Sequence, residues 1–381
     1  MPFVGNKPTA VPLTSADLED NIISTAKIQD DAVTTAKTSY SDAPYRNIII
    51  NGDMSIAQRG TSASGLTGGA YNTADRFYLN MGTAGTWTNT ISTDVPTGQG
   101  FAKSFKLDCT TANASLSAGS YMTVQQRFEG QNLQYLKKGT ANAESLTLSF
   151  WVKSNKTGTY IAYLRDGDNT RDISKSYTID SANTWEKKTL TFAGDTTGTL
   201  DNDNNLSFYV YFWLAAGTDY TSGTLATSWQ SSTAANNAVG QVNLADSTSN
   251  EWLITGVQLE AGTTASDFEF LPVDVNLQRC QRYYTQVATL GGLNGHNFFY
   301  GYNVSEAPGC VIFPTTMRTT PTVTTYDNAG NSGAIHKFGS PDISGVTVAR
   351  ASTTGYGTLN TSGSFVAGGI YIGTWKADAE L

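Results

Sequence analysis

The sequence is poor in charge. Asp, Glu, Lys and Arg make up 15% of its 381 residues, against ~25% in an ordinary globular protein. Basic residues are the scarcer kind, 24 against 32 acids for a net charge of −8. They form no cluster, so the chain lacks the cationic face that displaces counterions from nucleic acid or holds an anionic membrane surface. Histidine is nearly absent. His296 and His336 sit in Gly-rich surroundings with no acidic or Cys partner at a recognisable spacing, and there is no GxSxG, HExxH, P-loop or dinucleotide fingerprint. The three cysteines, Cys109, Cys280 and Cys310, are odd in number, widely spaced and without a CxxC. That excludes a disulfide framework and a zinc site, and leaves packed thiols in a reducing compartment. The densest apolar run, Val210–Ala216, falls far short of the ~20 residues that cross a bilayer. The opening MPFVGNKPTAVPLTSADLED has no basic stretch followed by an apolar core, as a secretory signal would. These absences predict a soluble chain made in a cytoplasm, with no nucleic-acid partner and no membrane insertion.

What is plentiful is Thr, Ser, Gly and Asn together with aromatics, 19 Tyr, 16 Phe and 7 Trp. Many short strands joined by polar, Gly-rich turns have this composition, so the fold class is all-β. The length allows two or three domains. Residues 1–46 hold almost no aromatics, and Ser24-Thr25-Ala26-Lys27 recurs as Thr34-Thr35-Ala36-Lys37. Such a segment cannot bury enough surface to fold alone, so it reads as an extended N-terminal docking arm. From 47 to 272 the pattern has period two. Leu146, Leu148, Phe150 and Val152 share one face of Ser145–Asn155; Leu206, Phe208, Val210, Phe212 and Leu214 share one face of Leu206–Leu214. Tyr121–Gln126, Thr159–Arg165, Trp185–Phe192 and Trp252–Leu259 are further strand candidates. Strands of this kind predict a jelly-roll β-sandwich. In residues 273–288, Val273, Leu277, Cys280 and Tyr284 recur at helical spacing, which predicts a short connecting helix. Residues 289–381 return to short strands and form a smaller C-terminal β-sandwich domain.

Two acidic pairs, Asp166/Asp168 and Asp201/Asp203, have the residue types of a glycan hydrolase. In turns, carboxylates at this spacing usually accept backbone amides. Asp201-Asn202-Asp203-Asn204-Asn205 also fits the first half of a calcium loop, yet position six is Leu206 and position twelve is Phe212. A structural calcium near Asp201 and Asp203 is therefore an alternative, and no cofactor or resident metal is otherwise expected. The second faces of the two aromatic strands are more informative. Tyr209, Tyr211 and Trp213 line one, and Trp151, with Lys153 beside it, lies on the other. A solvated sheet face is normally polar. Aromatic rings stack on sugar rings and their hydroxyls hydrogen-bond to them, so these four are the candidate ligand-binding residues. The competing explanation is packing against a loop or another subunit.

The stretch NIIINGDMSIAQRG at 47–60 reads as a first strand, Asn47–Ile50, and a turn at Asn51-Gly52-Asp53 for which Gly52 supplies the backbone freedom. Arg59 and Asp75 are then a structural latch, a bidentate pair tying the start of the sandwich to its second strand.

This stretch, together with Ala74-Asp75-Arg76-Phe77, resembles the opening of carbohydrate-binding-module-like domains in tail fibre proteins of tailed bacteriophages. Phe270–Tyr284 (FLPVDVNLQRCQRYY) resembles the junction where that domain ends, and Met317–Val323 (MRTTPTV) the M-R-x-x-P strand of the module that follows. Phe3, Val4, Gly5, Asn6 and Pro8, with the T-A-K repeats, resemble the arms by which such fibres dock on the virion. The chain departs from the pattern at Ile56-Ala57 and at Leu271, before Pro272, where relatives often carry an aromatic and an Arg. The resemblance implies a virion appendage subunit, synthesised in the host cytoplasm, homotrimeric, held to other virion proteins through residues 1–46 and adhering to a host surface glycan. It carries no catalytic residues. The alternatives are a purely structural neck, head or baseplate fibre, and a small glycan depolymerase. Depolymerising tailspikes often use a long β-helix, and residues 47–381 show no solenoid period.

Overall fold

Alternating apolar residues build the first region into two facing sheets. The structure, a computed structural model, describes residues 45–287 and 297–381. The docking residues Phe3, Val4, Gly5, Asn6 and Pro8, the T-A-K repeats and His296 lie outside them. Before residue 262 the strands are β1 (Ser62–Leu66), β2 (Ala70–Tyr71), β3 (Tyr78–Gly82), β4 (Thr86–Ser92), β5 (Ser104–Thr111), β6 (Tyr121–Glu129), β7 (Leu146–Ser154), β8 (Gly158–Asp166), β9 (Arg171–Ile179), β10 (Glu186–Phe192), β11 (Leu206–Ala216), β12 (Gln230–Ser231) and β13 (Glu251–Ala261). They form a six-stranded sheet ordered β1-β4-β5-β13-β7-β10 and a seven-stranded sheet ordered β12-β9-β8-β11-β6-β3-β2. Pairing is antiparallel throughout both, so the chain is all-β with a two-sheet sandwich.

The sheets meet where the sequence pattern puts its largest apolar side chains. Phe150 of β7 packs edge-on against Phe212 of β11, with ring centroids 5.0 Å apart, and against Tyr177 of β9 at the same distance. Phe212 also reaches Trp252 of β13. Each such side chain, fully buried, contributes ~1.5–3 kcal/mol. Strand β13 breaks its register with β7 between Thr255 and Gln258. Gly256 sits in that bulge at φ +61°, and a Cβ there would stand 2.5 Å from a ring carbon of Phe101. Only glycine satisfies both the angle and the approach.

The opening stretch departs from expectation. Asn47–Ile50 is buried but is not a strand. Its amides are spent on side chains and single contacts: Ile49 donates to Asn47 Oδ1, Ile50 to Gln126 Oε1, and Ile48 to the Leu259 carbonyl. The left-handed residues of the following turn are Asn51 (φ 62°) and Met54 (φ 60°). Gly52 is needed for proximity instead, since a Cβ would lie 2.1 Å from the Val257 carbonyl oxygen.

The second region has its own core, in which Phe299, Phe313, Tyr356, Tyr371 and Trp375 take part. After a single turn α1 (Thr218–Thr221) within the sandwich, the connecting helix α2 spans Val273–Gln281. It is shorter than the predicted 273–288, because Tyr284–Gln286 leaves it as strand β14 to pair with the last strand. The remaining strands are β15 (Asn297–Tyr300), β16 (Glu306–Ile312), β17 (Thr322–Tyr326), β18 (Ala334–Lys337), β19 (Ile343–Ser344), β20 (Thr347–Ser352), β21 (Gly355–Asn360) and β22 (Ile370–Asp378). Strand β22 is the spine, pairing with β14, β15, β17 and β18. Cys109 and Cys280 are buried as expected, whereas Cys310 on β16 is exposed.

The two regions belong to one compact unit, Tyr45–Leu381, and the stretches 58–76, 282–284 and 318 converge where they meet. Asp75 accepts both the amide and the side chain of Gln58, at 2.9 and 2.5 Å, and Gln58 also donates to the Tyr284 carbonyl at 2.8 Å. Arg282 and Tyr283 close on Glu129 of β6, at 2.6–2.8 and 2.5 Å. Arg318 donates to the Ala379 and Asn204 carbonyls, both at 2.9 Å. Glu380 accepts from Arg59 at 3.1 Å and also from Arg76, whose guanidinium lies 3.5 Å from the Tyr283 ring centre. The expected bidentate Arg59–Asp75 latch is therefore corrected. Arg59 comes only to 3.9 Å from Asp75, because Gln58 occupies both carboxylate oxygens and Glu380 and the Tyr284 ring, 3.5 Å away, draw the guanidinium toward the second region. The latch spans the two regions instead of closing the sandwich on itself.

Candidate functional site

The outer face of the seven-stranded sheet is aromatic in its middle. Strand register sets Tyr78, Gln125, Tyr211, Tyr163 and Ser174 side by side across β3, β6, β11, β8 and β9. One row along, Asn80, Thr123, Trp213 and Ile161 are aligned; on the other side Arg127, Tyr209, Arg165 and Asp172 are. The loop after β11 folds over part of this face, laying Tyr220 against Trp213 and Tyr121 with ring centroids 5.2 and 5.9 Å apart. A groove of about 220 Å³ is left, lined among others by Asn80, Gln125, Arg165, Tyr211, Tyr220 and Asn237.

Within it the rings are fixed by one another. Tyr211 packs edge-on to Tyr163 at 5.1 Å and stacks along Tyr209 at 5.4 Å. Burial pushes the Tyr211 hydroxyl well above the ordinary phenol range, with the neighbouring Tyr209 adding to the effect, so it remains a protonated donor. Three polar atoms of the lining have no hydrogen-bond partner although they are buried: Trp213 Nε1, Arg165 Nε and Asn237 Oδ1. An unsatisfied buried donor or acceptor is destabilising by ~1–3 kcal/mol.

Of the four expected ligand residues, the structure brings three together and separates one. Tyr209 and Tyr211 are half-buried; Tyr211 lines the groove and Tyr209 stacks beside it, outside the lining. Trp213 is 5% exposed, packed under Tyr220, and its indole nitrogen is buried without a partner, so it offers a ligand little surface. Trp151 is on β7 in the other sheet, in register with Lys187 and Thr255, on the opposite side of the sandwich. It cannot share a ligand with Tyr211. The expectation grouped them because both face outward, and period-two patterning does not say which sheet a strand joins. Tyr121, Tyr220, Arg165, Gln125 and Asn237 were missed. Gln125 and Arg165 do alternate outward on strand candidates, a visible signal, whereas Tyr220 and Asn237 arrive from a loop whose path has no sequence periodicity.

The acidic pairs are occupied by local structure. Asp166 is fully buried and ion-paired with Lys138, whose ammonium also meets Asp195 at 2.8 Å. Asp168 accepts the Asp201 amide at 2.8 Å. Both oxygens of Asp203 are taken by Asn205, at 2.9 Å by the amide and 2.6 Å by the side chain, which is the Asx-turn use of such residues. Among the described residues, no group of three or more His, Cys, Asp or Glu is arranged to hold a metal ion. No helix among them is long and apolar enough to cross a membrane.

No protein-family model matches the chain, and no curated protein matches its sequence. Solved structures with a similar arrangement include the enzymatically active domain of bacteriophage CBA120 tailspike protein 4, at 17% identity and TM-score 0.30. That alignment covers 57% of this chain and 22% of the tailspike, so this chain spans about a fifth of that protein's length. The family 11 carbohydrate-binding module from Clostridium thermocellum aligns over 54% of this chain and 98% of its own, at 12% identity and TM-score 0.27. The CBM22-1 xylan-binding domain from Paenibacillus barcinonensis Xyn10C aligns over 54% and 94%, at 11% and 0.24. Likenesses of this degree carry no functional argument, which rests instead on the groove.

Proposed function

We propose that the chain is a structural, non-catalytic subunit of a phage virion appendage, a tail fibre, that adheres to host surface glycans through the outer-face groove. The observation that carries this reading is the groove itself: half-buried tyrosines at its floor and three unpartnered polar atoms in its lining. At about 220 Å³ it is smaller than pockets that enclose a drug-sized ligand, ~300–1,000 Å³. It suits a short stretch of a linear saccharide lying across the sheet. The sequence segments that resemble fibre proteins support the appendage reading, and residues 1–46 would attach it to other virion proteins.

A homotrimer belongs to the same reading. On the second region Phe298 and Tyr300 of β15, Ile312 of β16 and Ile370 of β22 are each more than half exposed, and Tyr300 stands opposite Ile370 in register. Apolar residues clustered this way mark interaction surfaces. Carrying no charge, they offer nothing to a charged partner and are compatible with further copies of themselves. Three weak sites on one body would raise avidity by ~10²–10⁴ over a single site.

The test is a glycan array probed with the full chain and two variants. Tyr211→Ala should lose binding by about tenfold or more, equivalent to 1.4 kcal/mol, while Trp151→Ala on the opposite sheet should bind as wild type. Retention of no glycan, or loss of binding only in Trp151→Ala, would overturn the assignment. Release of reducing ends from bound polysaccharide, abolished by changing Asp166 or Asp168, would favour a depolymerase instead.

A further inference from the structure

The charge of the groove points to the class of glycan. Ten residues line it, and Arg165 is the single one with a formal charge; none is acidic. Arg59, Arg76, Arg171 and Arg282 are all ion-paired to carboxylates. Arg165 makes no ion pair among the described residues, and its Nε is buried without a hydrogen-bond partner. The nearest acid by register is Asp172, across β9. That carboxylate is fully buried, does not line the groove, and accepts the Tyr163 hydroxyl at 3.1 Å. Burial also pushes its pKa up, against the pull of its hydrogen bonds and of Arg165. A guanidinium beside aromatic rings, short of donors' partners and half out of water, is matched by a planar carboxylate that accepts two parallel hydrogen bonds.

We propose that the groove selects acidic saccharides, with Arg165 holding the carboxylate of a uronate- or sialate-type residue while Tyr211 carries a sugar ring. This rests on the glycan reading above and narrows it. The position of Arg165 beside Tyr209 and next to Tyr163 on the same outward face places charge and stacking surface within reach of one ring. Against a net charge of −8 on the whole chain, Arg165 supplies the attraction within the groove lining. Binding should therefore be local and weaken with salt.

The experiment uses the full chain against polyuronates and sialylated glycans, each beside its carboxyl-reduced counterpart, at two ionic strengths. Wild type should prefer the acidic member by about tenfold or more, and the preference should shrink as salt rises. Arg165→Gln should abolish that preference; Arg165→Lys should keep the salt dependence and lose most of the affinity, because an ammonium lacks the planar fork. Tyr211→Ala should weaken both members together. Equal wild-type binding of acidic and reduced glycans, or wild-type behaviour of both Arg165 variants, would overturn the charge assignment and leave glycan binding standing. Binding of neither class would overturn both.

Discussion

Glu380 offers the sharpest test of how the two regions are joined. Its carboxylate, 6% exposed, pairs with Arg76, which is fully buried, and with Arg59, which is 11% exposed. Arg76 is also held in the left-handed region, φ 71°, where a residue of its size rarely sits. Replacing Glu380 by Leu leaves the Arg76 guanidinium with the Tyr283 ring and the Arg127 carbonyl, 2.5 Å away, but without its ion-pair partner. Stranding one member of a buried pair is destabilising by ~3–5 kcal/mol. The partly exposed Arg59 contact adds at most ~1 kcal/mol. The unfolding entropy of a unit the size of Tyr45–Leu381 is roughly 0.7 kcal/mol/K, so the midpoint should fall by about 4–9 °C in calorimetry. The double variant Arg76→Met/Glu380→Leu removes both charges, and should recover more than half of that loss. A Glu380→Leu protein melting within about 1 °C of wild type would refute the reasoning. So would a double variant as unstable as the sum of the singles, because the effect would then not be that of a charge pair.

Other consequences are as direct. Burial alone would raise the Glu129 carboxyl, but hydrogen bonds from Arg282 and Tyr283 and the Arg282 charge outweigh it and hold the pKa below its usual 4.5. A depressed folded-state pKa supplies stability that is present above pH 4.5 and lost as pH falls through the folded value. Glu129→Gln should therefore flatten the acid limb of a stability–pH profile measured by denaturant titration; an unchanged limb would count against this assignment. Gly256→Ala places a Cβ against Phe101 at a φ of +61° and should be destabilising by ~1–3 kcal/mol, readable as a lower denaturant midpoint. Phe298→Lys with Ile312→Lys should dissociate the proposed trimer in light scattering without changing the monomer's melting. A trimer that survives both charges would move the contact elsewhere.

Much of the architecture was legible because strands declare themselves locally. Tyr121–Gln126 and Thr159–Arg165 lie within β6 and β8, and Trp252–Leu259 within β13, since aromatic and β-branched residues alternating between turn-formers have one good use. Asn47–Ile50 misled for a related reason. Three isoleucines in a row look like a strand, yet the partners of their amides include Gln126, 76 residues away. The candidate site was half legible. The outward tyrosines of β11 could be seen; that Trp213 would be covered and Arg165 left unpaired could not.

The sequence by itself determined the all-β class and the inward faces of β7 and β11, because these follow from composition and from a two-residue period. Tertiary structure alone decided that Trp151 and Tyr211 face opposite ways, and that Arg59 answers Glu380 rather than a bidentate Asp75. It also decided that Tyr220 and Asn237 close one side of a groove. Each of these depends on which strands and loops become neighbours across tens to hundreds of residues. Local alternation is indifferent to that choice; packing the two sheets and the second region together makes it.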